Sequence, residues 1–210
     1  MVGSIPNDIF QFSTYSALNA GFKDGQPQTA NLSSHGSDGL GVYENGNILV
    51  FQDGEAHAIR PNGDIVPADS QARLIFVMVT IFQPTFRIEV PSLSLESVQE
   101  IFQEPALQLG RGVNTYVPFK VVGKFSSVEF KEAGSLRDVS GQLFGFVVPE
   151  WMRSVSGPRV HACFLNEDGK KGGLVTDFEM EGKTELRFAK CGRFHLGFPQ
   201  GDRWEDLRLK

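Results

Sequence analysis

Three Asx-Gly pairs, Asn45-Gly46, Asp53-Gly54 and Asn62-Gly63, fall eight and nine residues apart within one stretch of the chain. Each pair supplies the positive φ that a tight hairpin needs, and the runs between them carry β-branched and aromatic residues. Such punctuation leaves little choice but a β-meander. The meander leads to Leu74–Phe82 (LIFVMVTIF), a continuous apolar run that fits a strand buried on both faces and central in its sheet.

Helical signals are fewer. In IFQFSTYSALNAGF, Ala17, Leu18 and Phe22 recur at helical spacing after Ser13-Thr14, which can cap orphan amides, so a short amphipathic helix is expected there. SLSLESVQEIFQEPALQ places Ser94 as a cap, Leu95, Val98, Ile101 and Phe102 on one face, and Pro105 as a stop. From Tyr116 onward the pattern is of strands: VPFKVVGKFSSVEFK, SGQLFGFVVP, RVHACFL, GGLVTDFEM, TELRFAK and GRFHLGFP, with turns such as NEDGKKGG and EMEGKT between them. The expected class is α+β. A β-rich N-terminal half with helices (1–112) packs closely against an antiparallel, barrel-like C-terminal half (113–210).

The chain has 210 residues, 40% of them hydrophobic, enough for a sizeable core. Its net charge of −5 comes from charges of both signs mixed along the sequence, so no basic stripe exists to neutralise a phosphate backbone and nucleic acid is not an expected partner. The opening MVGSIPNDIF lacks a basic segment followed by an apolar stretch, and Leu74–Phe82 is too short for a bilayer span, so a soluble cytoplasmic protein without a membrane partner is expected. Cys163 and Cys191 form no CxxC pattern and are expected as reduced thiols. Eighteen phenylalanines against three tyrosines and two tryptophans point to an apolar core, and secondarily to an apolar ligand cavity.

Taken in order, FQFSTYSALNAGFKDG, HGSDGLGVYENG, FKVVGKF, GQLFGFVVPEW and HACFLNEDGKKGGLV resemble the acetolactate decarboxylases across Ile9 to Pro199. The resemblance implies that family's fold and a catalytic zinc held by three histidines, two in a His-x-His pair on one strand and a third directly after Gly-Gly on the next. Residues two apart on a strand share a face, and a neighbouring strand can complete a three-ligand site open to substrate. Here the pair reads His161-Ala162-Cys163, and Leu174 follows Gly172-Gly173. A thiol at Cys163 is a conceivable ligand, whereas Leu174 is none. The family's acidic residue after the Asp-Gly turn falls at Asn47, which does not titrate, and its substrate-binding arginine at Lys131, which keeps the charge without the bidentate fork. Glu205 is the nearest candidate for the glutamate that the family's C-terminal tail brings to the site.

These positions define the candidate site. His161 is the expected acid, base or polarising donor and Lys131 the oxyanion partner. Asn47, Cys163, Leu174 and Lys120 are the expected substrate contacts, although Cys163 also reads as a small buried hydrophobe and Lys120 as a solvated strand lysine. No metal cofactor is expected. The alternative is zinc on His161 and Cys163, with His195 as third ligand if its strand lies beside that of His161. Cys191 and His195, four apart on a strand and so roughly 13 Å from each other, cannot readily serve one ion together. His35 is expected to shape its turn. Gly39-x-Gly41 leads from no strand into a helix, and neither a P-loop nor a nucleophile elbow is present.

Three functions stand open. The first is a repurposed, metal-independent cyclase, isomerase or lyase of secondary metabolism acting on an apolar carbonyl- or carboxylate-bearing intermediate, with a pericyclic cyclisation among its possible reactions. The second is a zinc-dependent decarboxylase of a 2-hydroxy-3-oxo acid, and the third a non-catalytic ligand-binding protein. The resemblance also implies a homodimer.

Overall fold

The computed structural model describes residues 7–102 and 114–209. Two sheets account for most of it. The first has seven strands in the order β12-β1-β6-β2-β3-β4-β5, and the second has five in the order β10-β9-β8-β11-β7.

The first sheet contains the meander. Its strands β2 (Asp38–Tyr43), β3 (Ile48–Gln52), β4 (Glu55–Ile59) and β5 (Ile65–Pro67) pair antiparallel in succession. Gly46, Gly54 and Gly63 sit at φ of 85°, 85° and 83°, the conformation for which the sequence singled them out. The expected buried strand is β6 (Leu74–Thr80), buried at every residue and paired between β2 and β1.

β1 itself (Asn7–Phe12) precedes the helix expected after Ser13-Thr14. Ile9 and Gln11 are fully buried between strands on both sides, so ladder hydrogen bonds take the first half of the motif. Helix α1 (Tyr15–Asn19) begins only at Thr14, whose side chain accepts from the Ala17 amide. The 3₁₀ turn Thr29–Ser34 ends at His35, which stacks on Phe10 at 3.7 Å.

The second sheet closes on itself. β8 (Val117–Phe130), β9 (Ser135–Val147), β10 (Val160–Asn166) and β11 (Gly172–Phe188) pair antiparallel, and a short β10–β11 ladder completes a small barrel. β7 (Phe86–Ser94) extends it beyond β11. The helix α2 (Leu95–Ile101), closed at its start by a Ser94–Ser97 capping box, puts Val98 and Phe102 into the barrel core. The expected stop at Pro105 lies outside the described residues.

Two sequence expectations change here. EMEGKT is not a turn between strands but a register shift inside β11, because β7 and β8 hold the strand on both sides of it. GRFHLGFP is not a further strand of the second sheet: β12 (Cys191–Gly197) crosses back and pairs parallel with β1. Each half of the chain thus lends a strand to the other's sheet. No helix among the described residues is long and apolar enough to cross a membrane.

Side-chain alternation divides the apolar residues into three cores. Phe119, Phe125, Phe164, Phe178 and Phe188 fill the barrel. Phe144, Phe146 and Cys163 leave its outer surface to meet Ile9, Leu40, Phe76 and Met78 of the first sheet, whose other face carries Phe12, Leu49, Phe51 and Val79. The phenylalanine bias therefore serves the cores.

Lys120 also leaves the outer barrel surface. It is 6% exposed, lies 2.6 Å from buried Asp38 and 2.8 Å from Asp53 of the first sheet, and sits over the Phe82 and Phe144 rings. Expected as a substrate contact or a solvated residue, it is instead an ionic tie between the sheets. Replacing it by methionine strands the Asp38 carboxylate in a desolvated site, a loss of about 3–5 kcal/mol in urea unfolding. Asp53→Asn, which keeps the Lys120–Asp38 contact, is expected to lose less than half of that.

Candidate functional site

The tight packing between the sheets stops near the first residues of β10. There the outward side chain is His161, 5% exposed. Tyr15, the first residue of α1, sets its ring edge against His161 at 6.0 Å, and Phe76 of β6 lies at 6.1 Å. The lid over this corner is α1 together with α3 (Arg153–Ser156), tied by a Ser16 hydroxyl donating to the Ser154 carbonyl at 2.9 Å.

Two clefts open from this corner. The wider, about 750 Å³, is bordered by Gln99, Glu150, Arg153, Arg159 and Thr176, among others. The narrower, about 390 Å³, runs between Leu18, Val42, Ile48, Ile59, Phe130 and Ala133. Tyr15, Lys131, His161 and Leu174 line both. The Lys131 amide donates to the Leu174 carbonyl at 3.0 Å, which holds the cation beside the residue that follows Gly172-Gly173. Among the described residues Lys131 makes no ion pair, whereas Arg153 pairs with Glu150 at 2.9 Å.

Burial holds His161 down to about 4, against an ordinary value of 6.5; the Ser156 carbonyl opposes this shift and the Lys131 charge adds to it. The imidazole is therefore neutral at pH 7. A carbonyl can only accept, so the 3.4 Å contact to Ser156 makes Nδ1 the protonated nitrogen and leaves Nε2 as the acceptor. This narrows the sequence expectation: His161 is a hydrogen-bond acceptor and weak base, not a reservoir of acid. Gly157, at φ 106°, lies so close that a Cβ there would meet His161 Nδ1 and the Tyr15 ring at 3.2 Å. A side chain there would press on both rings, and the positive φ disfavours one as well.

Beneath the histidine runs a buried polar chain. The Ser156 hydroxyl donates to Gln11 Oε1 at 2.6 Å, so the Tyr116 hydroxyl, also at 2.6 Å, donates to Ser156. Burial pushes the Tyr116 phenol up to about 12, which keeps it a donor. Gln11 Nε2 in turn donates to the Ser13 and Val155 carbonyls. Sequence reading missed Tyr15, Gln11, Tyr116 and Ser156; the nearest signal was the Gln-Phe-Ser-Thr-Tyr motif, which holds the first two.

Lys131, His161 and Leu174 thus converge as expected, and the remaining candidates lie elsewhere. Asn47 sits in the β2–β3 turn, between Gly46 and Ile48 of the narrower cleft but not on its wall. Cys163 is 1% exposed in the intersheet core, lines neither cleft, and has its thiol pushed well above its ordinary value by burial. Glu205, in the short helix α4 (Asp202–Glu205), is exposed and borders neither cleft.

The donor set does not fit the family's zinc. Cys163 faces Leu174 across the β10–β11 ladder, so an apolar side chain stands where a third ligand is needed. His195 is exposed on β12, beside Asp8 at 3.8 Å, and β12 does not neighbour β10, so the condition for its joining His161 is not met. Among the described residues no three His, Cys, Asp or Glu side chains are grouped to hold a metal ion.

The alpha-acetolactate decarboxylase family model matches residues 9–136 and 131–210. The chain belongs to that family. It is 30% identical over 196 residues to the alpha-acetolactate decarboxylase of Methanosarcina mazei, covering 82% of this chain and 66% of the relative, just short of two thirds of its length. It is 26% identical over 194 residues to that of Bacillus licheniformis, covering 83% and 76%. The crystal structure of acetolactate decarboxylase from Bacillus subtilis subspecies spizizenii superposes with a TM-score of 0.87 at 19% identity, over 97% of this chain and 94% of that one. A Staphylococcus aureus protein of unknown function, similar to alpha-acetolactate decarboxylase, superposes at 0.85 and 18% identity, over 97% and 94%. These likenesses confirm the expected fold.

Two measurements test the geometry. The unfolded chain binds a proton at His161 near pH 6.5 and the folded chain only near pH 4, so this group's contribution to stability is complete above 6.5 and falls away between those values. Urea unfolding should show a loss of roughly 3 kcal/mol from pH 7 to pH 4 that His161→Gln removes. Ser156→Ala orphans the Tyr116 hydroxyl and Gln11 Oε1, an expected cost of roughly 2–4 kcal/mol. It leaves the Ser156 carbonyl in place, so the His161 pH dependence should survive in that variant.

Proposed function

We propose that this family member is a lyase or isomerase, a cyclase included, that works without the family's three-histidine zinc on an apolar substrate bearing a carbonyl or carboxylate. The observation that carries the reading is the shared wall of the two clefts: Lys131, without an ion-pair partner among the described residues, and a neutral His161 stand beside Leu174, where the resemblance calls for the third ligand.

A substrate oxygen that gains negative charge in the reaction would be met by the Lys131 ammonium, which is exposed where the two clefts join. His161 Nε2 would accept a hydrogen bond or, transiently, a proton; as a weak base it suits a reaction in which holding a reactive geometry supplies much of the acceleration. Leu174, Tyr15 and the aliphatic wall would exclude water and fix the apolar part. Secondary metabolism, a cytoplasmic location and a homodimer belong to the same proposal.

Decarboxylation of acetolactate itself is the second reading, favoured because the relatives named above carry that activity in their names. Metal analysis of protein purified with zinc in the medium, paired with a test for acetoin formation from 2-acetolactate, separates the two. Under the proposal zinc stays below 0.1 equivalents (an order-of-magnitude bound for a site short of tetrahedral ligands), and added zinc does not start acetoin formation. One equivalent of zinc, lost in His161→Ala together with acetoin formation, would establish the second reading instead.

A further inference from the structure

The two clefts differ in chemistry, and the difference describes a ligand. Resting on the site proposed above, we propose that the substrate is a two-part acid: an anionic head held at Lys131, where the clefts join, and an apolar body seated in the narrower cleft.

The charge distribution supports the head. The two linings together carry four cations, Arg60, Lys131, Arg153 and Arg159, against two carboxylates, Glu132 and Glu150, on a chain of net charge −5. An acidic protein that concentrates positive charge around one opening draws anions to it. Within that set Arg153 is occupied by Glu150, and Arg159 donates to the Val148 carbonyl at 2.7 Å. Arg60 and Glu132, both exposed, belong to the narrower cleft alone, and Lys131, which lines both clefts, is the cation at their junction, with no ion-pair partner among the described residues.

The apolar body follows from the other wall. Val42, Ile48 and Ile59 come from three successive strands of the first sheet, Leu18 from α1, and Phe130 and Ala133 from the end of β8 and the turn after it. At about 390 Å³ this cleft is within the ~300–1,000 Å³ range of sites for drug-sized ligands, so a small hydroxy-keto acid alone would leave much of its apolar wall wet. An aliphatic or alicyclic body covers that wall, while a charged or strongly hydrated one does not.

Binding of unreactive probes tests this independently of any turnover. Acetate, butyrate, hexanoate, octanoate and 1-octanol are titrated calorimetrically into the wild-type chain, Lys131→Met, Ile48→Trp and Ala133→Trp, each first checked for folding by circular dichroism. One-to-one octanoate binding is expected, with affinity rising about threefold per methylene along the acid series. Octanol should bind at least ten times more weakly than octanoate, Lys131→Met should remove that difference, and either tryptophan variant that folds should flatten the chain-length dependence. Affinity that does not change with chain length, octanol equal to octanoate, or a Lys131→Met chain indistinguishable from wild type would each overturn the proposal. Should the protein prove to be a zinc decarboxylase while the octanoate results hold, the reaction reading fails and the two-part ligand stands.

Discussion

The site depends on the alternation of side chains along β10. Val160, Ala162 and Phe164 point into the barrel, so His161, Cys163 and Leu165 must point out of it toward the first sheet. Outward has two meanings on this strand. At Cys163 the sheets are in contact and the side chain joins a dry core; two residues earlier they part, and His161 stands at the edge of that core with clefts beside it. The β10–β11 register then sets Leu174 against Cys163, and the Lys131–Leu174 backbone hydrogen bond brings the cation to the same edge.

What fixes the distance between the sheets also fixes how far this edge opens. Phe144, Phe146 and Cys163 pack against Ile9, Phe76 and Met78, and the Lys120–Asp38 pair ties the sheets at a second place. A buried pair adds little net stability over apolar packing, but it has one satisfied geometry, which suits a role in setting register between layers. The electrostatics of His161 follow from this packing. The ring is desolvated by the sheets and by the lid, and its proton is committed to a backbone carbonyl that the Tyr116–Ser156–Gln11 chain holds in place. A neutral ring beside a cation is the consequence.

Much of this was legible in the sequence, and the limits have a common cause. Asn45-Gly46, Asp53-Gly54 and Asn62-Gly63 declare their hairpins because the turn conformation is local, and Ser94 declares its helix for the same reason. Strand partners are not local. Nothing within GRFHLGFP says that it will pair parallel with a strand some 180 residues away, and nothing within Asn7–Phe12 separates a buried strand from the helix that follows it. The same blindness affected the site. Lys131, His161 and Leu174 line the same clefts, as the resemblance that carried them as a set implies, and Cys163 is the small buried hydrophobe it also read as, while the burial of Lys120 depends on what the other sheet presents. Tyr15 and Ser156 reach His161 from segments about 140 residues apart, a proximity no spacing rule reveals.

Leu174 stands where the resemblance calls for a ligand. A polar residue there, left without a metal, would need a partner in a half-buried wall; leucine needs none, and it joins Ile48, Ile59 and Phe130 in a continuous apolar surface. The same surface deepens the desolvation that keeps His161 neutral. His161 is a weak base at this corner, and Lys131 is the cation that stands beside it in both clefts. Under the proposed function, selectivity for the reactive geometry must come from where the apolar body is held relative to that charge. The burden moves from the metal to the shape of the narrower cleft, whose aliphatic walls come from the meander that the three Asx-Gly turns impose.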